Sequence, residues 1–274
     1  MKAIGSFLLR GLAYLPRLVP RAWRRRLLDS WLASVFRKAF IFMVGESTTV
    51  VTLGPPLEGY QMRVNLQMQK AYIYGTFEEA LVRFILDTVQ DGWNVFDVGA
   101  NIGYVALLIA SRTPAGRVYA FEPLPSNFAC LQENADRNKM PNLHCELRAL
   151  GETTKQMTFH YRAEALTAGG SIVNSVPYGV DKAIMTTEVA VIPGDEYMRE
   201  HAVQRLDLVK IDVEGAEGLV LRGMLQTLRT YRPLVVVELH SFEGSTAPDV
   251  PAFLSDLGYN CHMLDGSHLL AVPG

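Results

Sequence analysis

Four acids in this sequence stand where apolar runs stop, each next to residues that can turn the chain or bind. Val95-Phe96-Asp97-Val98 runs into Gly99-Ala100-Asn101-Ile102-Gly103, Phe121 precedes Glu122 and Pro123, Ile211-Asp212 leads into Val213-Glu214-Gly215-Ala216-Glu217, and Val235-Val236-Val237 closes on Glu238, Leu239 and His240. Such a run marks a buried strand that delivers polar groups to a ligand at its carboxyl end. Gly99 and Gly103 allow the backbone to approach a ligand where a β-carbon would collide. The G-x-N-x-G spacing differs from the G-x-G-x-x-G of dinucleotide binders, whose pyrophosphate sits on a helix N-terminus. An acid such as Asp97 suits a ligand that carries an ammonium group.

Glu122 follows the glycine turn by about 20 residues, the separation at which an acid accepts both hydroxyls of a ribose. Helix-dipole complementarity explains Glu214 and Glu217 but not Asp212, which lies within its strand. Glu238 and His240 are two apart and share one side of a strand. With Asp212 they can move a proton, or alternatively hold a divalent metal. Mg²⁺ prefers oxygen ligands, so His240 counts against the metal, and the metal-free base is the favoured reading.

The elements that must position these residues alternate. Strands expected at 94–98, 117–122, 143–149, 207–212 and 234–239 are interleaved with helices at 76–89, 104–111, 126–138, 216–231 and 250–257, which predicts an α/β fold with a mostly parallel sheet. Strands at 157–162 and 187–192 flank a loop, 163–182, suited to walling an acceptor, and a short helix is expected at 196–202. Asp265-Gly266 sets a C-terminal antiparallel hairpin between 259–264 and 268–272. Ahead of Gly75 come a basic amphipathic helix at 23–39 and short strands at 40–44, 48–53 and 63–74, so the expected division is a 1–74 lead-in and a 75–274 catalytic domain.

With 274 residues, 49% of them hydrophobic and 20% charged, the chain is long enough for one large domain. Its net charge of −2 conceals a polarity: residues 1–40 hold nine Lys or Arg against Asp29 alone, leaving the remainder near −10. An acidic body argues against a nucleic-acid partner, because phosphate contacts need a basic surface. The basic helix at 23–39 fits either packing on its own domain or peripheral contact with an anionic membrane. No run reaches the roughly 20 apolar residues of a membrane span, and no cleavable leader is expected. Cys130, Cys145 and Cys261 form no C-x-x-C pair, which suggests neither a disulfide framework nor a zinc site and fits a reducing, cytoplasmic location.

Taken in order, D-V-G-A-N-I-G (97–103), F-E-P (121–123), K-I-D-V-E-G-A-E (210–217) and E-L-H (238–240) resemble the FkbM family of methyltransferases over roughly residues 75–240. The resemblance implies a Rossmann-like class I methyltransferase fold with S-adenosylmethionine as cofactor. It implies O-methylation of a hydroxyl on a small-molecule or glycan acceptor: a sugar, glycan, glycolipid or natural product. By the resemblance, Asp97, Gly99, Asn101, Gly103 and Glu122 hold the cofactor, and Asp212, Glu214 and Glu217 line the acceptor side. In-line transfer to a hydroxyl also needs a base, with His240 or Asp212 expected in that role and Glu238 orienting or sharing the proton. One departure is Val191-Ile192-Pro193-Gly194-Asp195, where the family shows Thr-Leu-Asp, so only Asp195 carries over. Two rival readings stay open: a nicotinamide-dependent oxidoreductase, and a non-catalytic protein that keeps the cofactor pocket.

Overall fold

A computed structural model describes residues 48–66, 68–162, 170–171, 184–242 and 244–274. The basic segment 23–39, the strand expected at 40–44 and most of the loop 163–182 lie outside them. The chain divides into two compact units, Met1–Phe77 and Glu78–Gly274.

In the first unit, β1 (Thr48–Thr52) pairs antiparallel with β2 (Gln61–Asn65). The strand expected over 63–74 ends early, at Asn65. There the Gln69 side chain accepts the Asn65 amide at 2.7 Å, while the Asn65 side chain accepts the Met68 amide at 3.3 Å. These local bonds compete with a sheet ladder and turn the chain. A one-turn helix, Lys70–Tyr74, follows and is closed by left-handed Gly75 (φ 64°). It buries Tyr72 and Ile73.

The second unit is built on two sheets. Its strands are β3 (Asn94–Val98), β4 (Arg117–Phe121), β5 (Leu143–Glu146), β6 (Ala149–Leu150), β7 (Lys155–Arg162), β8 (Gly170–Ser171), β9 (Ile184–Ile192), β10 (Leu208–Ile211), β11 (Leu234–Glu238), β12 (Tyr259–Met263) and β13 (His268–Pro273). Seven form one sheet in the order β12-β13-β11-β10-β3-β4-β5, and β6-β9-β7-β8 form the other. The five strands from β11 to β5 run parallel, and β13 is antiparallel to both neighbours. From β3 the chain winds outward to β4 and β5, then returns on the opposite side to β10 and β11. That reversal creates a switch-point crevice between β3 and β10, where α/β sheets bind ligands. Parallel strands covered on both faces read as unbroken apolar runs, which is why 94–98 and 234–238 are so plain in the sequence.

Two expected elements break in two. Residues 143–149 divide between the sheets, because Arg148 donates back to the Glu146 carbonyl at 3.0 Å and β6 then joins β9. The helix expected at 216–231 is two helices, Glu217–Arg222 and Leu225–Tyr231. Between them Gly223 lies so close to another loop that a β-carbon would stand 1.8 Å from the Gly151 carbonyl oxygen. Asp195 secures the second helix by accepting the amides of Gln226 and Thr227 at 2.8 and 2.7 Å. Under the sheet, Phe96, Tyr119, Phe121 and Tyr197 meet edge to face, with ring centroids 4.8–5.7 Å apart, a packing geometry that aromatic quadrupoles favour.

Candidate active site

Parallel pairing sets Phe121, Val98, Ile211 and Val237 in one row across β4, β3, β10 and β11. The residues one step further along, Glu122, Gly99, Asp212 and Glu238, therefore share the same edge of the sheet. All four motifs read from the sequence converge there.

The turn after β3 is fixed by the Gly99 and Ala100 amides, which both donate to the Phe121 carbonyl at 3.0 Å. Gly99, Asn101 and Gly103 have φ of 81°, 50° and 92°, the left-handed region that glycine tolerates best. A β-carbon on Gly99 would fall 1.8 Å from the Asp212 carbonyl oxygen, and one on Gly103 2.6 Å from Leu131 Cδ1. Both glycines thus have an internal reason to lack a side chain besides access for a ligand.

Glu122 is 5% exposed. Its Oε2 accepts the Asn101 amide and its Oε1 the Leu124 amide, each at 2.9 Å. Burial pushes its pKa up to about 7 against those two hydrogen bonds. The carboxylate is therefore clamped beside the turn in one orientation, and each oxygen retains a second acceptor site.

Asp97 is wholly buried, and its oxygens make no directed hydrogen bond. Lys210 Nζ lies 3.2 Å from its Oδ1, 3.2 Å from the Gly99 carbonyl and 3.4 Å from Asp212 Oδ2. Burial disfavours the lysine's charge, but Asp97, Asp212 and Glu78 outweigh it and hold its pKa above the usual value. The sequence reading gave Lys210 no role. The available signal was a lysine between Val209 and Ile211 in a fully apolar strand, since a buried charge requires a partner.

Asp212, Glu214, Glu238 and His240 gather on the other side of the crevice. His240 Nε2 is 3.6 Å from Glu214 Oε2, 3.8 Å from Asp212 Oδ1 and 4.0 Å from Glu238 Oε1. Its Nδ1 is 2.9 Å from Glu217 Oε1, an oxygen that also accepts the Gly215 amide at 2.9 Å. Glu217, expected on the acceptor wall, has no exposed surface and instead orients this ring. Burial works against an imidazolium, but the Glu217 hydrogen bond and the charges of Glu214, Asp212 and Glu238 raise the His240 pKa to about 9. A raised pKa favours the protonated ring, which donates to the carboxylates around it. Asp212, Glu238 and His240 also present ligand atoms within 4.8 Å of one another.

Residues 97–261 match the family described as the methyltransferase FkbM domain. The chain is 32% identical over 179 residues to the hexuronic acid methyltransferase AglP of Haloferax volcanii, an alignment covering 65% of this chain and 68% of that protein. It is 29% identical over 193 residues to the 31-O-demethyl-FK506 methyltransferase FkbM of Streptomyces tacrolimicus, covering 62% and 74%. A solved structure, the methyltransferase FkbM of Methylobacillus flagellatus KT, superposes with a TM-score of 0.47 and 20% identity, covering 66% of this chain and 44% of that one. The chain thus spans less than half of that structure's length.

Proposed function

We propose, from the premise that this chain belongs to the FkbM methyltransferase family, that it carries a methyl group from S-adenosylmethionine to a hydroxyl of a sugar, glycan, glycolipid or polyhydroxylated natural product. The observation that carries the cofactor assignment is Glu122, held by two amides beside the glycine turn with acceptor sites to spare. A vicinal diol such as ribose offers two matching donors. A dinucleotide fits poorly, because its pyrophosphate would meet Glu122 and Asp212, while Lys210, the cation placed there among the described residues, is already paired with Asp97 and Asp212. The relative from Haloferax volcanii is named for a hexuronic acid, which supports a sugar-like acceptor here. Stabilisation of the protein by S-adenosylhomocysteine and not by NAD would bear out the cofactor reading; the reverse would return the chain to the oxidoreductases.

When bound, S-adenosylmethionine supplies a methyl group activated by an adjacent sulfonium. The protein's part is to fix geometry and take a proton. Glu122 orients the nucleoside, and Gly99, Asn101 and Gly103 shape the turn beneath it. Asp97 acts through Lys210, which ties the turn to the end of β10. Asp212 is our choice of base, because β10 adjoins β3 and sets this acid next to the turn, whereas Glu238 lies one strand further away. His240, held by Glu217, donates to the neighbouring carboxylates and keeps them in place.

A pH dependence follows for binding. Ribose hydroxyls donate, so they favour ionised Glu122, and binding lowers its pKa from about 7. The sign is therefore tighter binding as pH rises: affinity for S-adenosylhomocysteine is expected to increase about tenfold between pH 6 and 8 and then level off. Calorimetry across that range on wild type and Glu122→Ala checks it. The variant should bind about ten- to a hundredfold more weakly and lose the slope; an unchanged slope would assign the titration elsewhere.

A further inference from the structure

The side of Glu238 turned away from His240 carries a second cluster. His268 opens β13 and pairs in register with Glu238, which brings the two side chains together on one face. The His268 side chain is 3% exposed, and its Nδ1 lies 2.9 Å from Asp265 Oδ2 and 3.0 Å from Oδ1. Asp265 is itself fixed by the Ser267 and His268 amides at 2.9 and 2.7 Å. A carboxylate on Nδ1 assigns that nitrogen the proton and leaves Nε2 as the free end of the ring. Nε2 is buried with no hydrogen-bond partner, and so is Glu78 Oε2. The two are 3.5 Å apart, and Glu238 Oε2 is 3.9 Å from Nε2.

A neutral imidazole would turn its lone pair towards two carboxylates. A protonated one pairs with Glu78 at 3.5 Å and Glu238 at 3.9 Å, both longer than the roughly 2.7–2.9 Å of a close charge-assisted hydrogen bond. Ligand bonds of about 2.0–2.2 Å to a shared cation place neighbouring ligand atoms roughly 3–4 Å apart. The three atoms also lie within 4.8 Å of one another. A carboxylate behind the ligating histidine is the arrangement that orients metal-bound imidazoles.

We propose that Glu78, Glu238 and His268 hold one divalent first-row transition ion, Zn²⁺ or Mn²⁺, with Asp265 orienting the histidine. One imidazole with two carboxylates suits these ions better than Mg²⁺ or Ca²⁺, which take oxygen shells. The ion would join the start of the helix Glu79–Thr88 to β11 and β13 and fix Glu238 from behind, leaving its Oε1 towards His240. This site shares only Glu238 with the Asp212, Glu238 and His240 group, and its test reads metal rather than methyl transfer, so it stands or falls apart from the proposed activity.

The experiment uses the tag-free full chain, stripped with chelator and titrated with Zn²⁺ and Mn²⁺ alone against a chromophoric competitor, with metal content checked by mass spectrometry. One equivalent per chain is expected, with a rise in Tm. Glu78→Gln and His268→Ala should lose that equivalent, Asp265→Asn should weaken it about 10- to 100-fold, and His240→Ala should keep it. Circular dichroism confirms the fold of each variant, and Glu78→Gln decides the matter if His268→Ala does not fold. No stoichiometric binding of either ion, binding unchanged in Glu78→Gln, or binding lost in His240→Ala would overturn the site.

Discussion

Asp212→Asn is expected to lower kcat by about 10²- to 10⁴-fold, the range for loss of a general base, with affinity for S-adenosylhomocysteine nearly unchanged. The substitution keeps the side chain's shape and removes its ability to take a proton. Backbone contacts survive it: the Asp212 amide still donates to the Val98 carbonyl at 3.0 Å, so the end of β10 stays against the turn. The split between kcat and binding separates chemistry from folding. An acceptor found by screening polyols, glycans and glycolipids supplies the assay, and Glu238→Gln serves as the comparison. Full turnover in Asp212→Asn together with a large loss in Glu238→Gln would move the base one strand along.

The second large effect is on stability. Gly99→Ala combines a left-handed backbone, φ 81°, with a β-carbon placed 1.8 Å from the Asp212 carbonyl. Left-handed strain costs about 1–3 kcal/mol and overpacking about 1–3 more. For a chain of this size Tm should fall on the order of 10 °C, and cofactor affinity should fall with it. Gly92→Ala separates the two causes, because Gly92 has φ 82° with nothing within 4 Å of its missing β-carbon. It should show the backbone cost alone. Equal losses in the two variants would mean that the Asp212 contact relaxes freely.

What the sequence made legible was whatever repeats locally. Apolar runs that end in acids located β3, β4, β10 and β11, and the glycine spacing located the turn. Parallel pairing then brought Glu122, Gly99, Asp212 and Glu238 to one edge, as the motifs imply. What stayed hidden depends on register between distant segments. Lys210 meets the Gly99 carbonyl 111 residues away in sequence, and His268 meets Glu78 only because β13 pairs with β11. The break at Gly223 was hidden for a similar reason, since the neighbour that demands a glycine is Gly151. Glu217, which the resemblance put on the acceptor side, is buried instead, because its partner His240 arrives from the segment just after β11.

The buried ammonium of Lys210 between Asp97 and Asp212 also constrains how this family member can drift. Losing the lysine alone strands the wholly buried Asp97 carboxylate in the interior, a change of the kind that costs several kcal/mol. Losing Asp97 alone leaves the lysine held only by the partly exposed Asp212 and the Gly99 carbonyl. Each single step is a loss, so neutral descendants reach an uncharged pair only by changing both positions close together in time. Across a deep set of descendants, positions 97 and 210 should therefore vary as one character, and a lineage with a neutral residue at 210 should show one at 97.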